Sequence, residues 1–213
     1  MGLHNDGGRN NVAAACAALD ADVLALQEAW WWGEDDSTMV DVIATAVGGT
    51  AYAYTSPQRL DKHPARWTVA IVSRLPADRL DDRMIPSIRG TERALVRIRL
   101  RENDVVLAAG HFDGVHALRR NPLTWWRQRR DLQALAPTHQ LIAADCNMWG
   151  PVVARDFRPL RRAVRGPTWP AWRPHSQIDH LLIDHRLEVL DSQVLGDMGS
   201  DHLPVVATLR TRP

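Results

Sequence analysis

Side chains that can bind a cation or exchange a proton recur in this sequence where apolar segments begin or end. Six such places carry an acid, an amide or an imidazole: Asn5, Glu28, His111, Asp145 with Asn147, Asp179, and Asp201 with His202. Apolar segments of this length are typical of buried strands, and neighbouring strands end together at one edge of a sheet. The sequence therefore predicts one cleft that these polar side chains share.

The residue types in this set indicate the chemistry. Carboxylates, amides and imidazoles are present, and no cysteine cluster accompanies them. A small number of oxygen ligands, with room left for water and substrate, suits Mg²⁺ or Mn²⁺ better than Zn²⁺. Such a cation neutralises phosphate charge and lowers the pKa of bound water, while imidazoles and amides stabilise the transition state. The set therefore favours metal-assisted hydrolysis of a phosphate ester.

Composition and charge set limits on the kind of protein. The chain has 213 residues, of which 45% are hydrophobic and 24% charged, as is ordinary for a globular protein. Its net charge of +1 gives no general electrostatic attraction for nucleic acid, so any such attraction must be local. No repeat, low-complexity tract or linker-like boundary divides the sequence. We therefore expect a single domain over residues 1–213.

Cysteine usage and hydropathy indicate where the protein works. Cys16 and Cys146 are far apart and form neither a metal-ligand spacing nor a disulfide framework. The N-terminus lacks a basic stretch followed by an apolar run, and no segment reaches membrane-spanning length. We therefore expect a cytoplasmic monomer without an integral membrane segment.

Apolar periodicity predicts the elements that would position the polar side chains. Helices are predicted over residues 12–19, 38–47 and 122–136, the first of them capped by Asn10 or Asn11. Strands are predicted over residues 23–28, 51–55, 67–73, 93–100, 105–109, 140–144, 178–183, 187–194 and 205–209. The Asn103-Asp104 pair indicates a hairpin turn. Residues 166–174 are expected to be irregular because of their prolines.

Taken in chain order, the polar motifs resemble the endonuclease/exonuclease/phosphatase superfamily. The matching elements are Asn5, Gln27-Glu28 after an apolar run, Gly110-His111, Asp145-Cys146-Asn147, Ile178-Asp179-His180 and the Gly-Ser-Asp-His-Leu-Pro-Val run over residues 199–205. Each element alone is weak, but together they are specific and follow the right order from end to end. The resemblance implies an α/β fold, a four-layer α/β/β/α sandwich of two mixed β-sheets packed face to face with helices outside. The first strand is expected to be truncated, or the natural start to lie upstream of Met1, because few apolar residues precede Asn5.

The resemblance also implies which residues hold the cation and the phosphate. Glu28 would hold a divalent cation, Mg²⁺ or Mn²⁺, with Asp201 as a second ligand. Asn5 would contact the metal or the phosphate. Asp145 would orient or deprotonate the attacking water, and Asn147 would hold the phosphate.

Two histidines complete the implied site. Asp179 would accept a hydrogen bond from His202, which would act as a general base or transition-state stabiliser. His111 matches the position at which some members of the superfamily have a second catalytic histidine. No carboxylate partner for His111 can be identified from the sequence.

The substrate is less sharply indicated than the chemistry. A nuclease acting on DNA is favoured, and a basic groove for it would come from Arg119, Arg120, Arg127, Arg129 and Arg130. Those arginines equally fit an exposed helix face. A phosphatase or phosphodiesterase for a lipid-linked or soluble small phosphate is the alternative, because residues 168–174 are similar to superfamily members that act on lipid-linked phosphates. A non-catalytic binding module of the same fold is a second alternative, and it predicts lost ligands.

Several other residues have two interpretations. The tryptophans at 30–32 would either stack a base or pack their loop. Trp169 and Trp172, with Arg173, would either bind substrate or pack a loop. Arg93, at the start of a strand, would either reach a phosphate or be a solvated charge, and the interpretation as a solvated charge is favoured. Cys146 is interpreted as a packing residue, although a thiol so close to a metal could be sensitive to oxidation.

Overall fold

The computed structural model of the protein describes residues 11–29, 39–59, 66–85, 87, 93–114, 122–135 and 138–212. The described helices are α1 Val12–Ala18, α2 Met39–Val47, α3 Pro122–Leu135 and α4 Gly150–Asp156. The strands are β1 Val23–Leu26, β2 Thr50–Arg59, β3 Arg66–Ser73, β4 Ala77–Ile85, β5 Arg93–Leu100, β6 Val106–His111, β7 Leu141–Asp145, β8 Arg161–Arg162, β9 Asp179–Ile183, β10 Leu187–Val194 and β11 Val205–Thr211. Among the described helices, none has the length and apolar character needed to cross a bilayer.

The strands form two sheets and a hairpin. The large sheet has six strands in the order β4-β5-β6-β7-β9-β8, and the small sheet has three in the order β1-β3-β2. Strands β10 and β11 pair with each other. Among the described strands only β6 and β7 are parallel, so the large sheet is mixed and the small sheet is antiparallel.

The inner core lies between the two sheets. In β3 the side chains alternate, and Val69 and Ile71 belong to the same apolar cluster as Val96 and Leu107 of the large sheet. The β10–β11 hairpin adds side chains such as Leu209 to this cluster. The predicted face-to-face packing of sheets is confirmed.

Helices cover the outer face of each sheet. Ala70 and Val72, the outward-facing residues of β3, pack with Cys16 of α1 and Ile43 of α2. On the other side, Phe157, at the end of α4, belongs to the cluster that covers the outer face of the large sheet. The order of layers is therefore helix, sheet, sheet, helix, as the family resemblance implied.

Helix α1 shows how local sequence sets an element. The Asn11 side chain caps the helix, and its Oδ1 accepts a hydrogen bond from the Ala14 backbone N–H at 3.0 Å. Strand β4 and helix α4 were missed by the sequence analysis. The first is an edge strand with many exposed charges, and the second has seven residues beginning at Gly150-Pro151, so neither shows a clear apolar period.

A buried ion pair joins α3 to α4 on the outer side of the large sheet. Arg129 and Asp156 form this pair, and their side chains are 5% and 2% exposed. We expect Asp156→Ala to lower the free energy of unfolding by about 3–5 kcal/mol, because it leaves the Arg129 guanidinium buried without its carboxylate. Urea unfolding measures the change. Asp131→Ala, which breaks only an exposed pair with Arg130, should cost less than about 1 kcal/mol; equal losses in the two variants would contradict this account.

Candidate active site

Strand register brings the predicted catalytic side chains into a row. His111 at the end of β6 is paired with Asp145 at the end of β7, and Asp145 is paired with Asp179 at the start of β9. Residues directly opposite each other on neighbouring strands point to the same face of a sheet. An imidazole and two carboxylates therefore stand side by side at one end of the large sheet. A Cβ at Gly110 would lie 2.5 Å from Leu95 Cδ2, so the backbone before His111 needs a glycine.

Two residues of the site have left-handed backbone conformations. Glu28 has φ of 52° and Asn147 has φ of 49°. Residues other than glycine rarely adopt such angles, and those that do cluster at functional sites. Each lies two residues beyond the last residue of a strand, Leu26 of β1 and Asp145 of β7. The chain therefore turns sharply at both places where a predicted functional side chain leaves its sheet.

His111 lies between two carboxylates. Its Nδ1 is 3.9 Å from Glu28 Oε1, and its Nε2 is 3.4 Å from Asp145 Oδ2. The Asn147 side-chain nitrogen lies 3.0 Å from the same Nε2. Only 5% of the His111 side chain is exposed. The structure thus supplies the carboxylate partners that the sequence could not identify, and they come from the opposite small sheet and the adjacent strand.

The Asp-x-Asn motif is closed by its own hydrogen bonds. The Asn147 backbone N–H donates to Asp145 Oδ1 at 2.8 Å, and the Asn147 amide donates to Asp145 Oδ2 at 3.2 Å. The same amide donates to the Phe112 carbonyl at 3.1 Å. These contacts fix both side chains relative to the ends of β6 and β7.

The predicted pairing of His202 with Asp179 is present. The His202 Nδ1 lies 3.1 Å and 2.9 Å from the two carboxylate oxygens of Asp179. An N–H at Nδ1 donating to the carboxylate leaves Nε2 as the atom that can act on a substrate. The Nε2 is 4.0 Å from Asp201 Oδ2, so it lies on the side of the ring next to the second predicted metal ligand.

Thr168 joins the two segments that carry this pair. Its fully buried side-chain oxygen accepts hydrogen bonds from the backbone N–H groups of Ile178 and Asp179, at 3.2 Å and 3.3 Å. Its carbonyl accepts the Leu203 N–H at 2.7 Å. One residue thus ties the start of β9 to the loop that carries His202. The sequence analysis missed Thr168, and nothing in its type or spacing marks this role.

We expect Thr168→Val to lower kcat by about tenfold to a hundredfold, because a small displacement of His202 from Asp179 is costly. Losing the acceptor of two buried N–H groups should also cost about 1–3 kcal/mol of stability. Steady-state kinetics and thermal unfolding measure the two effects. Thr168→Ser keeps the hydroxyl and should retain activity. Full activity in the valine variant would show that Thr168 does not position the pair.

Negative charge is concentrated in the site. Burial, followed by the charge of Asp179, raises the pKa of Asp145 to about 8. Burial also raises the pKa of Glu28, and the Asp201 carboxylate acts in the same direction. Carboxylates held together in this way are stabilised by protons or by a cation.

His202 responds to the same charges. Burial alone would lower its pKa, but the hydrogen bond and charge of Asp179, with the charge of Asp145, outweigh burial and raise it to about 9. The ring is therefore held as an imidazolium at neutral pH in this arrangement. A cationic Nε2–H group next to the carboxylate cluster can donate to a phosphate oxygen.

The donor set fits a divalent cation. Asp145, Asp179 and His202 each offer one ligand atom, and these atoms all lie within 4.8 Å of one another. Burial raises the pKa of Glu28, and the charge of Asp201, whose Oδ2 is 4.0 Å from His202 Nε2, acts in the same direction. Asn5, the remaining predicted ligand, lies outside the described residues. Hard oxygen donors with one imidazole suit Mg²⁺ or Mn²⁺.

The interpretation of Arg93 as a solvated charge is wrong. Its side chain is 10% exposed, and its Nη2 lies 3.4 Å from Asp113 Oδ1. Its Nη1 donates to the His111 carbonyl at 3.1 Å, and the guanidinium lies 5.0 Å from the centre of the Trp67 ring. That ring in turn lies 5.0 Å from the ring of His111. Trp67, Arg93 and Asp113 therefore form the surroundings of His111, which the sequence did not reveal.

Other predicted features divide into packing residues and residues that cannot be placed. Cys146 is fully buried in the outer core of the large sheet, and burial raises the pKa of its thiol, which agrees with a packing role. The basic groove is not formed as a set, because Arg129 is buried against Asp156 while Arg127 is exposed. The residues at 30–32, 119 and 120 lie outside the described segments.

The residues that converge here occupy motifs known from one family of proteins. Residues 2–202 match the model of the endonuclease/exonuclease/phosphatase family. The chain belongs to this family. Its members are hydrolases of phosphate esters that generally depend on divalent metal ions, and this protein is a phosphoesterase of that family.

Solved structures of several other proteins share the fold. An endonuclease/exonuclease/phosphatase protein from Beutenbergia cavernae superposes with a TM-score of 0.77 at 20% sequence identity. The superposition covers 99% of this chain and 69% of the Beutenbergia chain. The human Nocturnin catalytic domain with bound sulfate superposes with a TM-score of 0.68 at 14% identity, over 99% of this chain and 92% of the Nocturnin chain. A mannosyl-6-phosphatase from Bacteroides thetaiotaomicron superposes with a TM-score of 0.63 at 14% identity, over 93% of this chain and 89% of the phosphatase chain. No curated protein matches the sequence significantly.

Proposed function

We propose that this phosphoesterase is a Mg²⁺- or Mn²⁺-dependent nuclease that hydrolyses phosphodiester bonds in DNA. The observation that carries the proposal is the His202–Asp179 pair beside Asp145, with donor atoms of all three within 4.8 Å of one another. Carboxylates that bind a cation or a water, next to an imidazole with one free nitrogen, are what phosphodiester hydrolysis requires.

The acidic residues would hold the cation and the water. Glu28 and Asp201, together with Asn5, are the proposed ligands. The bound cation would neutralise phosphate charge and lower the pKa of a water molecule. Asp145, fixed by two hydrogen bonds from Asn147, would orient the attacking water and accept its proton.

The imidazoles and the amide would bind the phosphate. His202, held by Asp179 through Nδ1, presents Nε2 to a phosphate oxygen and stabilises charge in the transition state. The Asn147 amide and the His111 ring lie 3.0 Å apart and form the other side of the phosphate site. Arg93 donates to the His111 carbonyl and stacks on Trp67, whose ring contacts that of His111, and so helps to keep His111 in place.

A phosphatase or phosphodiesterase acting on a lipid-linked or soluble small phosphate is the second candidate. The structural similarity to a mannosyl-6-phosphatase at 14% identity supports it, because the same fold there carries a monoester substrate. A non-catalytic module of this fold is disfavoured, since it predicts lost ligands and the described site keeps its acids and imidazoles.

Side-by-side assays separate these candidates. Plasmid DNA, RNA, a bis-aryl phosphodiester and a phosphomonoester are offered to the protein in the presence of Mg²⁺ or Mn²⁺. Nicking of the plasmid is the result expected of a nuclease. Cleavage of the monoester alone would show a phosphatase and overturn the nuclease proposal, and no cleavage of any substrate would favour the non-catalytic module.

A further inference from the structure

A cavity rich in arginine lies beside the edge strand of the large sheet. Its volume is about 850 Å³. Four of the side chains that line it are arginines: Arg158, Arg161, Arg162 and Arg165. We call this feature the arginine cavity. The remaining lining residues are uncharged and include Leu160 and Val189, so positive charge dominates.

Neighbouring charge balances these arginines only in part: the pKa of Glu188 is lowered mainly by Arg210, and Arg161 contributes in the same direction. Within the described residues, no carboxylate lies within 4.0 Å of any of the four, whereas Arg186 and Arg210, on the neighbouring turn and hairpin, both form ion pairs. Like charges at close range without counter-charges destabilise a fold unless an anion binds. The cavity therefore has the electrostatic character of an anion site.

Two of the arginines are held in place by uncharged groups. Arg161 Nη2 donates to the Leu187 carbonyl at 3.1 Å, and Arg162 Nη1 donates to Gln177 Oε1 at 3.1 Å. The Arg162 guanidinium also lies directly against Gly150, where any Cβ would overlap it. Burial, and then the charge of Arg165, lowers the pKa of Arg162. The donors are thus fixed in advance, which lowers the entropy cost of binding an anion.

The arginine cavity lies next to the strand that carries Asp179. Arg162 of β8 is paired with Leu182 of β9, three residues along the strand from Asp179. Three residues of strand span about 10 Å. The residues after β8 run beside β9 towards its start: the Ala163 N–H donates to the Leu181 carbonyl, and the Gly166 N–H donates to Gln177 Oε1. At this separation along the strand, a polymer that occupies the active site can extend to the cavity.

We propose that the arginine cavity binds backbone phosphates of a nucleic-acid substrate away from the scissile bond, and so selects polymers over small phosphate esters. This inference rests on the proposed nuclease function for the identity of the ligand. Each arginine that contacts a phosphate releases condensed counterions, so binding through the cavity depends on salt concentration.

The test reverses two exposed charges of the cavity. Arg158→Glu combined with Arg165→Glu is compared with Arg83→Glu combined with Arg99→Glu, which makes the same change in net charge on the opposite edge region of the large sheet. Binding of a DNA oligonucleotide is measured in excess chelator over a range of salt concentrations, and thermal unfolding confirms that each variant is folded. The cavity variant should bind at least tenfold more weakly, with a salt slope smaller by about 2.

Kinetics provide the second measurement. With Mg²⁺, the cavity variant should have a KM for DNA at least tenfold higher than wild type and unchanged kcat/KM for the bis-aryl phosphodiester. Unchanged DNA binding in the cavity variant, or equal losses in the cavity and control variants, would overturn the inference. So would inorganic tripolyphosphate binding as tightly as DNA, because the cavity would then be a site for a free anion.

The two proposals can fail separately. If the wild-type protein hydrolyses no phosphodiester but the cavity variant alone loses DNA binding, the nuclease proposal is wrong and the nucleic-acid site remains. If the protein cleaves DNA and the cavity variant behaves as wild type in both measurements, the arginine cavity is not a substrate site and the nuclease proposal remains.

Discussion

Replacing His202 by alanine should lower kcat/KM for phosphodiester hydrolysis by about a hundredfold to a thousandfold. The reason is that Nε2 is the free nitrogen of a ring already fixed by Asp179 at 2.9 Å, and the variant removes the donor that faces the phosphate. Because the variant leaves the Asp179 carboxylate, 14% exposed, without its partner, the melting temperature should also fall, by about 2–4 °C for each kcal/mol lost. Initial rates on a bis-aryl phosphodiester and a thermal unfolding curve measure both effects.

A second histidine, in the turn after β9, provides a matched control. His185 is exposed in the turn after β9, at the opposite end of that strand from Asp179, and His185→Ala should keep the wild-type rate. Asp179→Asn should lose activity nearly as strongly as His202→Ala, and the double variant should be no worse than either single variant, because the pair acts as a unit. Wild-type activity in His202→Ala would exclude the histidine from the chemistry.

Asp145→Asn should abolish hydrolysis while making the metal-free protein more stable. The Asn147 backbone N–H can still donate to the remaining side-chain oxygen, although the Asn147 amide loses Oδ2 as an acceptor, which offsets part of the gain. The variant removes a carboxylate that burial and the charge of Asp179 destabilise. A gain of about 1 kcal/mol would raise Tm by about 2–4 °C in a protein of this size. The rate should fall by about a hundredfold to ten-thousandfold.

Thermal unfolding with and without metal checks the second half of this prediction. In excess chelator Asp145→Asn should have the higher Tm, and saturating Mg²⁺ or Mn²⁺ should raise the Tm of the wild type more than that of the variant. Asp191→Asn, which changes an exposed carboxylate on β10, should show neither effect. A lower Tm for Asp145→Asn in chelator would contradict the idea that carboxylate repulsion is relieved by the cation.

The sequence predicted the parts of the site that follow from strand order. His111, Asp145 and Asp179 each lie at a strand end, and strand ends at one edge of a sheet necessarily come together. The position of His202 beside Asp179 was implied by the family resemblance and is present in the structure. The sequence motifs do not predict the contact between His111 and Glu28, because it joins residues of two different sheets.

Contacts between distant segments explain what the sequence did not predict. Arg93 looked like a solvated charge because its ion-pair partner Asp113 is twenty positions away in the chain and on a different element. Thr168 looked like part of an irregular proline-rich run, and its role depends on where Asp179 and Leu203 are placed by the fold. Pattern analysis reports periodicity and local turn chemistry, and neither of these contacts leaves a periodic signal.

The most direct test of the site is hydrolysis of the bis-aryl phosphodiester as a function of added Mg²⁺ or Mn²⁺ after treatment with a chelator. The account predicts no hydrolysis in excess chelator, recovery on adding metal, and a higher half-saturating metal concentration for Glu28→Ala than for wild type. Undiminished hydrolysis in excess chelator would contradict it, because the proposed ligands Glu28 and Asp201 would then have no part in the reaction.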